Sequence, residues 1–224
     1  PSLCLNGHLD TVPIPHPPPQ RRQGRVYGRG ACDMKGPLAA AVEALTALNE
    51  ADLQTGGTVL LAAHGLHEAP GGRGEDLVLA LKEGALAADG AVVLELAHDT
   101  LPVVQLGRGI FRATFRRSGE ATHELRTPPT TPHPLAAVAE AVTALEVFAL
   151  GLERRAIPPA GSESLFLGQV HGGDFYNRFP TEAWVEGTRR FAPETTAEEA
   201  EDELRRLLEP IAQQRKLTLG LDFS

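Results

Sequence analysis

The chain is 224 residues long, 42% hydrophobic and 22% charged, which excludes a wholly disordered or collagen-like polymer. Its 21 basic and 29 acidic residues leave a formal net charge of −8 at pH 7, a poor match to nucleic acid or to an anionic membrane surface. No stretch approaches the roughly 20 continuous apolar residues of a membrane helix, and its two cysteines, Cys4 and Cys32, are too few for a disulfide framework. Such cysteine usage fits a reducing, cytoplasmic compartment. The chain opens on Pro1 rather than Met and is already apolar at its third residue, so it is expected to be a piece of something longer.

In chain order, residues 3–5 read as a buried strand ending at Asn6-Gly7. Residues 13–19 hold five prolines and cannot be regular structure. Residues 37–48 are rich in Ala and Leu at helical spacing. Residues 58–63 form an apolar strand, 65–74 a glycine-rich loop, and 75–83 a helix closed by Gly84. Residues 91–96 read as a third buried strand, so the alternation of strand and helix predicts a parallel α/β sheet. The pattern changes near Gly107. Residues 110–116 alternate apolar and polar, 134–150 are helical, 165–170 and 183–190 are strands, 197–214 an amphipathic helix and 217–223 a last strand. That order is β-α-β-β-α-β, a ferredoxin-like unit. The predicted domains are 1–106 and 107–224.

Four segments of the first domain carry chemistry. In Gly7-His8-Leu9-Asp10-Thr11-Val12-Pro13, a histidine follows a buried strand, where α/β proteins place ligands. Asp10 shares its face in an extended segment and can set the imidazole tautomer. The competing reading is a capped turn with a surface histidine. Asp33, in Gly30-Ala31-Cys32-Asp33-Met34-Lys35-Gly36, is either a helix N-cap or a ligand. Glu68 lies in the glycine-rich loop, as a functional group or a solvated carboxylate. Glu95 ends an apolar strand and must be paired, metal-bound or able to reach water. Together these residues line one edge of one sheet. Histidine and carboxylates without paired cysteines suit zinc, or cobalt or manganese in its place.

With these motifs in view, the sequence resembles the acetylornithine deacetylase, succinyl-diaminopimelate desuccinylase, carboxypeptidase G and aminoacylase family of co-catalytic zinc hydrolases. His8-Leu9-Asp10-Thr11-Val12-Pro13 is similar to its His-x-Asp-x-x-Pro, and residues 28–36 to its Gly-Arg-Gly-x-x-Asp-Met-Lys-Gly. Gly119-Glu120-Ala121-Thr122-His123 and the run from Gly172 to Pro180 resemble motifs of the family's lid and dimerisation domain. The resemblance implies an incomplete zinc-hydrolase catalytic domain followed by a ferredoxin-like lid. It implies that His8, Asp33 and Glu95 bind metal, that Asp10 orients His8 and that Glu68 is the general base. It further implies that His123 reaches the substrate oxyanion from a partner subunit, and that Asn177 and Arg190 contact the substrate's carbonyl and carboxylate. Arg189 is the neighbour that a one-residue register error would select.

The implied activity is hydrolysis of the amide bond of an N-acyl amino acid or small peptide by a zinc-dependent homodimer. One departure is Ala69, which stands where the family has a second glutamate that binds the second metal. Either His67, Glu75 or Asp76 replaces it, or one ion suffices. Another register makes Glu68 the ligand and His67 the base. A second departure is that the family's last metal histidine would lie beyond Ser224. The alternative function is a non-catalytic, dimerising homologue that binds a small carboxylate. Cys32 is expected to be a small buried filler.

Overall fold

The computed structural model describes residues 1–52, 56–68, 72–95 and 103–224. Two compact units, Pro1–Leu101 and Pro102–Ser224, divide the chain.

The first unit is built on three parallel strands, β1 (Ser2–His8), β2 (Thr58–His64) and β3 (Gly90–Val93), in the order β2-β1-β3. Helices α1 (Gly36–Glu50) and α2 (Glu75–Lys82) follow β1 and β2. β1 is longer than its apolar core suggests, because Asn6, Gly7 and His8 continue the ladder to His64. Gly7 permits a close approach here: a Cβ would come within 2.5 Å of Met34 and 2.9 Å of Leu38. Met34, 1% exposed, therefore packs on the end of β1 and carries Asp33 with it.

Two expectations are corrected in this unit. β3 is exposed along its whole length, with Val93 62% exposed, because it is an edge strand that nothing among the described residues covers. Cys32 is exposed and Cys4 is the buried cysteine. A hairpin of Gln20–Arg22 with Arg25–Tyr27 adds an element that the sequence reading left as loop. Its turn places Gln23 and Gly24 at φ 51° and 75°, the left-handed pair that a two-residue hairpin loop requires.

The second unit is a four-stranded antiparallel sheet of β4 (Gly107–Arg116), β5 (Ser164–Gly172), β6 (Glu182–Phe191) and β7 (Thr218–Phe223). The strands lie in the order β5-β6-β4-β7. Helix α3 (Pro134–Leu152) joins β4 to β5, and α4 (Ala197–Gln214) joins β6 to β7. Period-two patterning turns Phe111, Ala113 and Phe115 of β4, and Ala183 and Val185 of β6, onto one face. There they meet Val138, Ala141 and Leu145 of α3 and Leu204 and Leu208 of α4, all buried. α4 starts in a reciprocal cap, with Thr196 Oγ1 accepting from the Glu199 N–H and Glu199 accepting from the Thr196 N–H.

α3 is long and apolar enough, by length and composition alone, to cross a membrane. Glu140 and Glu146 interrupt its apolar run and hid it from a search for unbroken stretches. One face of α3, through Ala137, Val138, Ala141 and Leu145, packs into the core of the second unit.

Candidate metal centre

Strand register brings the site together. β1 pairs with β2 so that His8 lies beside His64, and with β3 so that Asn6 lies beside Val93. Two residues farther along, Glu95 arrives level with His8. The loop after His64 leaves from the same sheet end, carrying His67 and Glu68. The carboxyl end of a parallel sheet is where such folds place ligands.

His8 is 1% exposed and sits at the centre. Its Nδ1 lies 3.1 Å from the main-chain carbonyl of Asp10. A carbonyl can only accept, so Nδ1 carries a proton, and Nε2 is either a second donor, as in an imidazolium, or a lone pair free for a cation. That Nε2 lies 3.0 Å from Asp33 Oδ1 and 3.4 Å from Glu95 Oε2. A neutral imidazole with Nδ1 protonated has no proton to offer either carboxylate. The cluster is balanced by a cation among them or by a charged imidazolium. The donors suit a metal ion: atoms of His8, Asp33 and Glu68 lie within 4.8 Å of one another, as do atoms of His8, His67 and Glu95.

Asp10 reaches His8 with its main-chain carbonyl as well as its carboxylate. Its carbonyl holds the His8 ring, while its Oδ2 accepts from the backbone N–H of Glu68 at 2.8 Å and of His67 at 3.0 Å. Oδ1 is 3.3 Å from His8 Nδ1 but lacks hydrogen-bond geometry. Burial opposes ionisation of Asp10, yet the N–H groups of Glu68, Asp10 and His67 and the charge of His8 outweigh it and hold the carboxyl below its usual range. Glu95 is shifted upward, by burial first and then by the charge of Asp33. Asp33 belongs to an irregular turn, Ala31–Lys35, with φ −116° and ψ 93°. The Asp33–Met34 peptide bond is cis. Lys35 Nζ donates to the carbonyl of Leu9 at 2.6 Å and ties this turn to the end of β1. Ala69 lies outside the described residues.

The remaining candidates lie in the second unit. His123 and Asn177 are together, with Asn177 Nδ2 3.1 Å from His123 Nε2, because the short strands at Thr122–His123 and Arg178–Phe179 pair. Asn177 also lines a groove of about 460 Å³ with His133, Phe175 and Phe179. Arg190 is not with them. It lies near the far end of β6, eight residues from Glu182, or about 26 Å along an extended strand. Alternation turns the two arginines to opposite faces. Arg189 points into the core, 0% exposed, bonded to Glu163 at 2.9 Å and Glu203 at 2.7 Å. Arg190 is exposed and stands opposite Arg108 in the ladder. Burial and then the charge of Arg108 push the Arg190 pKa down.

The chain is 30% identical over 237 residues to the succinyl-diaminopimelate desuccinylase of Alkalilimnicola ehrlichii, covering 100% of this chain and 61% of that enzyme. Human carnosine dipeptidase 1 has a similar fold, with a TM-score of 0.71 at 15% identity, covering 100% of this chain and 61% of its own. The dipeptidase Dug1p from Saccharomyces cerevisiae aligns with a TM-score of 0.74 at 13% identity over 99% of this chain and 60% of its own. The chain thus spans about three fifths of the length of the relatives it matches. The profile of peptidase family M20/M25/M40 covers residues 4–180, and the chain belongs to that family.

Proposed function

We propose that the protein is a metal-dependent hydrolase that cleaves the amide bond of an N-acyl amino acid or small peptide. One observation carries this reading: the buried His8 turns its Nε2 toward two carboxylates, Asp33 at 3.0 Å and Glu95 at 3.4 Å. Zinc is the favoured ion, with cobalt or manganese as substitutes, because the donors are imidazole and carboxylate.

A bound ion would polarise the amide carbonyl and acidify a water molecule. The protein's own groups do the rest. The Asp10 carbonyl keeps His8 in one tautomer, and the Asp10 carboxylate anchors the backbone of the loop that carries Glu68. Glu68 takes the proton from water and returns it to the leaving amine. His123 and Asn177 offer an imidazole and an amide to the developing oxyanion. Arg190, about 26 Å along β6 from that pair within one chain, pairs with the substrate carboxylate when His123 and Asn177 come from the partner subunit.

The second unit has the strand and helix order of a ferredoxin-like fold, and we assign it the role of a lid and homodimerisation module. Relatives named as a desuccinylase and dipeptidases agree with an acylated amino acid or short peptide as substrate. The test is hydrolysis of a panel of N-acetyl and N-succinyl amino acids and dipeptides, with and without a chelator. Release of free amine that stops on chelation and returns with zinc supports the proposal. Release that ignores the chelator overturns it.

A further inference from the structure

We propose that His67 is a ligand of the ion held by His8 and Glu95, which makes this a centre of two imidazoles rather than one. The inference rests on the metal-dependent reading above and adds to it a donor that the motifs do not supply.

The His67 ring stacks on the His8 ring, with centroids 4.2 Å apart and planes 16° apart. Nitrogen atoms of both rings and a Glu95 oxygen lie within 4.8 Å of one another. Ligands bound to zinc at about 2.0–2.2 Å stand roughly 3–4 Å apart, so the two rings close the shell by unstacking and turning their in-plane lone pairs toward one point beside Glu95. The backbone is already held for it. Asp10 fixes the His8 ring with its carbonyl and the His67 N–H with its carboxylate, so one residue sets the positions of both histidines. The loop is tied at its neck by the Gly74 N–H donating to the Leu66 carbonyl at 2.6 Å.

The other nearby donors are engaged elsewhere. Glu75 accepts from the backbone N–H of Arg73 at 2.6 Å. Asp76 accepts from the N–H groups of Gly65 and Leu77 and lies 3.6 Å from His64 Nδ1. The His67 imidazole makes no hydrogen bond among the described residues. It is the group left to bind. A second imidazole moves the site toward zinc and cobalt and away from magnesium and manganese, which prefer oxygen.

Cobalt(II) is the probe, because its visible absorption reports the number and kind of its ligands. The whole chain, stripped of metal, is titrated with cobalt beside His67→Ala, His67→Asn and His8→Ala. Far-UV circular dichroism checks that each variant is folded. Loss of a direct ligand costs at least the roughly 10–100-fold that loss of an outer-shell partner costs. Both His67 variants are therefore expected to bind cobalt at least about tenfold more weakly, with a changed visible spectrum, and His8→Ala to lose the site. If both His67 variants keep the affinity and spectrum while His8→Ala loses them, His67 is not a ligand and the metal-dependent reading stands. If His8→Ala also binds cobalt as the unmodified chain does, the inference and the reading beneath it both fail.

Discussion

At His8 the chemistry depends on which neighbour accepts a proton. The Asp10 carbonyl accepts a hydrogen bond from Nδ1–H, which leaves Nε2 as the ring nitrogen facing Asp33 and Glu95. The sequence made His8, Asp10, Asp33, Glu68 and Glu95 candidates because each follows or ends an apolar strand or opens a helix. It could not show that Asp10 works through its carbonyl, because main-chain contacts leave no mark on residue type. Nor could it separate His67 from Glu75 and Asp76, since all three are polar residues of one loop region and only the geometry shows which are engaged. Glu68 yields a sharp expectation. Glu68→Gln keeps the shape but removes the base, so kcat should fall by about 10²–10⁴ while the bound metal per chain, measured by emission spectrometry, stays the same. Loss of metal in step with activity would make Glu68 a ligand instead.

At the scale of elements, the six main elements of the second unit were legible to within three residues at each end, because α4 and the strands follow clean periodicities. The exception is Arg189, a charge on the buried face of β6 that alternation places correctly but composition makes improbable. Its partners explain it: Glu163, Glu203 and Arg155 form a connected ion-pair network between β6, α4 and the chain before β5. Removing one partner of such a buried network leaves charges unpaired, so Arg189→Ala should cost about 3–5 kcal/mol in urea unfolding. A loss under about 1 kcal/mol would mean that water replaces the guanidinium.

Glu203 supplies the pH dependence of the same network. Burial opposes its ionisation, but hydrogen bonds and charge from Arg189 and Arg155 outweigh that and lower its pKa from the ordinary 4.5. The folded value lies below the unfolded one, so its stabilisation is present above about pH 4.5 and is lost as pH falls through the lowered value. Thermal unfolding of the unmodified chain and Glu203→Gln should therefore differ near neutrality and converge in acid. A constant difference would contradict this. In the first unit, β3 was read as buried because its apolar run resembles an interior strand. Whether a strand is interior or at an edge depends on neighbours that local sequence does not encode.

For the whole molecule, the parallel sheet carries the candidate metal centre and the antiparallel unit forms a second compact unit. The homodimer proposed above would use the open edge of the second unit. β5 is an edge strand with Phe166 67% exposed and Val170 56% exposed, and α3 exposes Val147 and Leu150. An unpaired edge beside exposed apolar side chains is suited to a two-fold interface. Sedimentation equilibrium should find a dimer, and Phe166→Glu with Val170→Lys should shift it to monomer without changing the far-UV spectrum. A monomer in the unmodified chain would remove the dimer from the account.

The central claim is that His8, Asp33 and Glu95 hold a metal ion. Anomalous scattering at the zinc edge from zinc-soaked crystals tests it most directly. The account predicts a peak about 2.0–2.1 Å from His8 Nε2, with the carboxylates of Asp33 and Glu95 turned toward it. A map with no peak there, and His8 Nε2 hydrogen-bonded to Asp33 as an imidazolium, would contradict it.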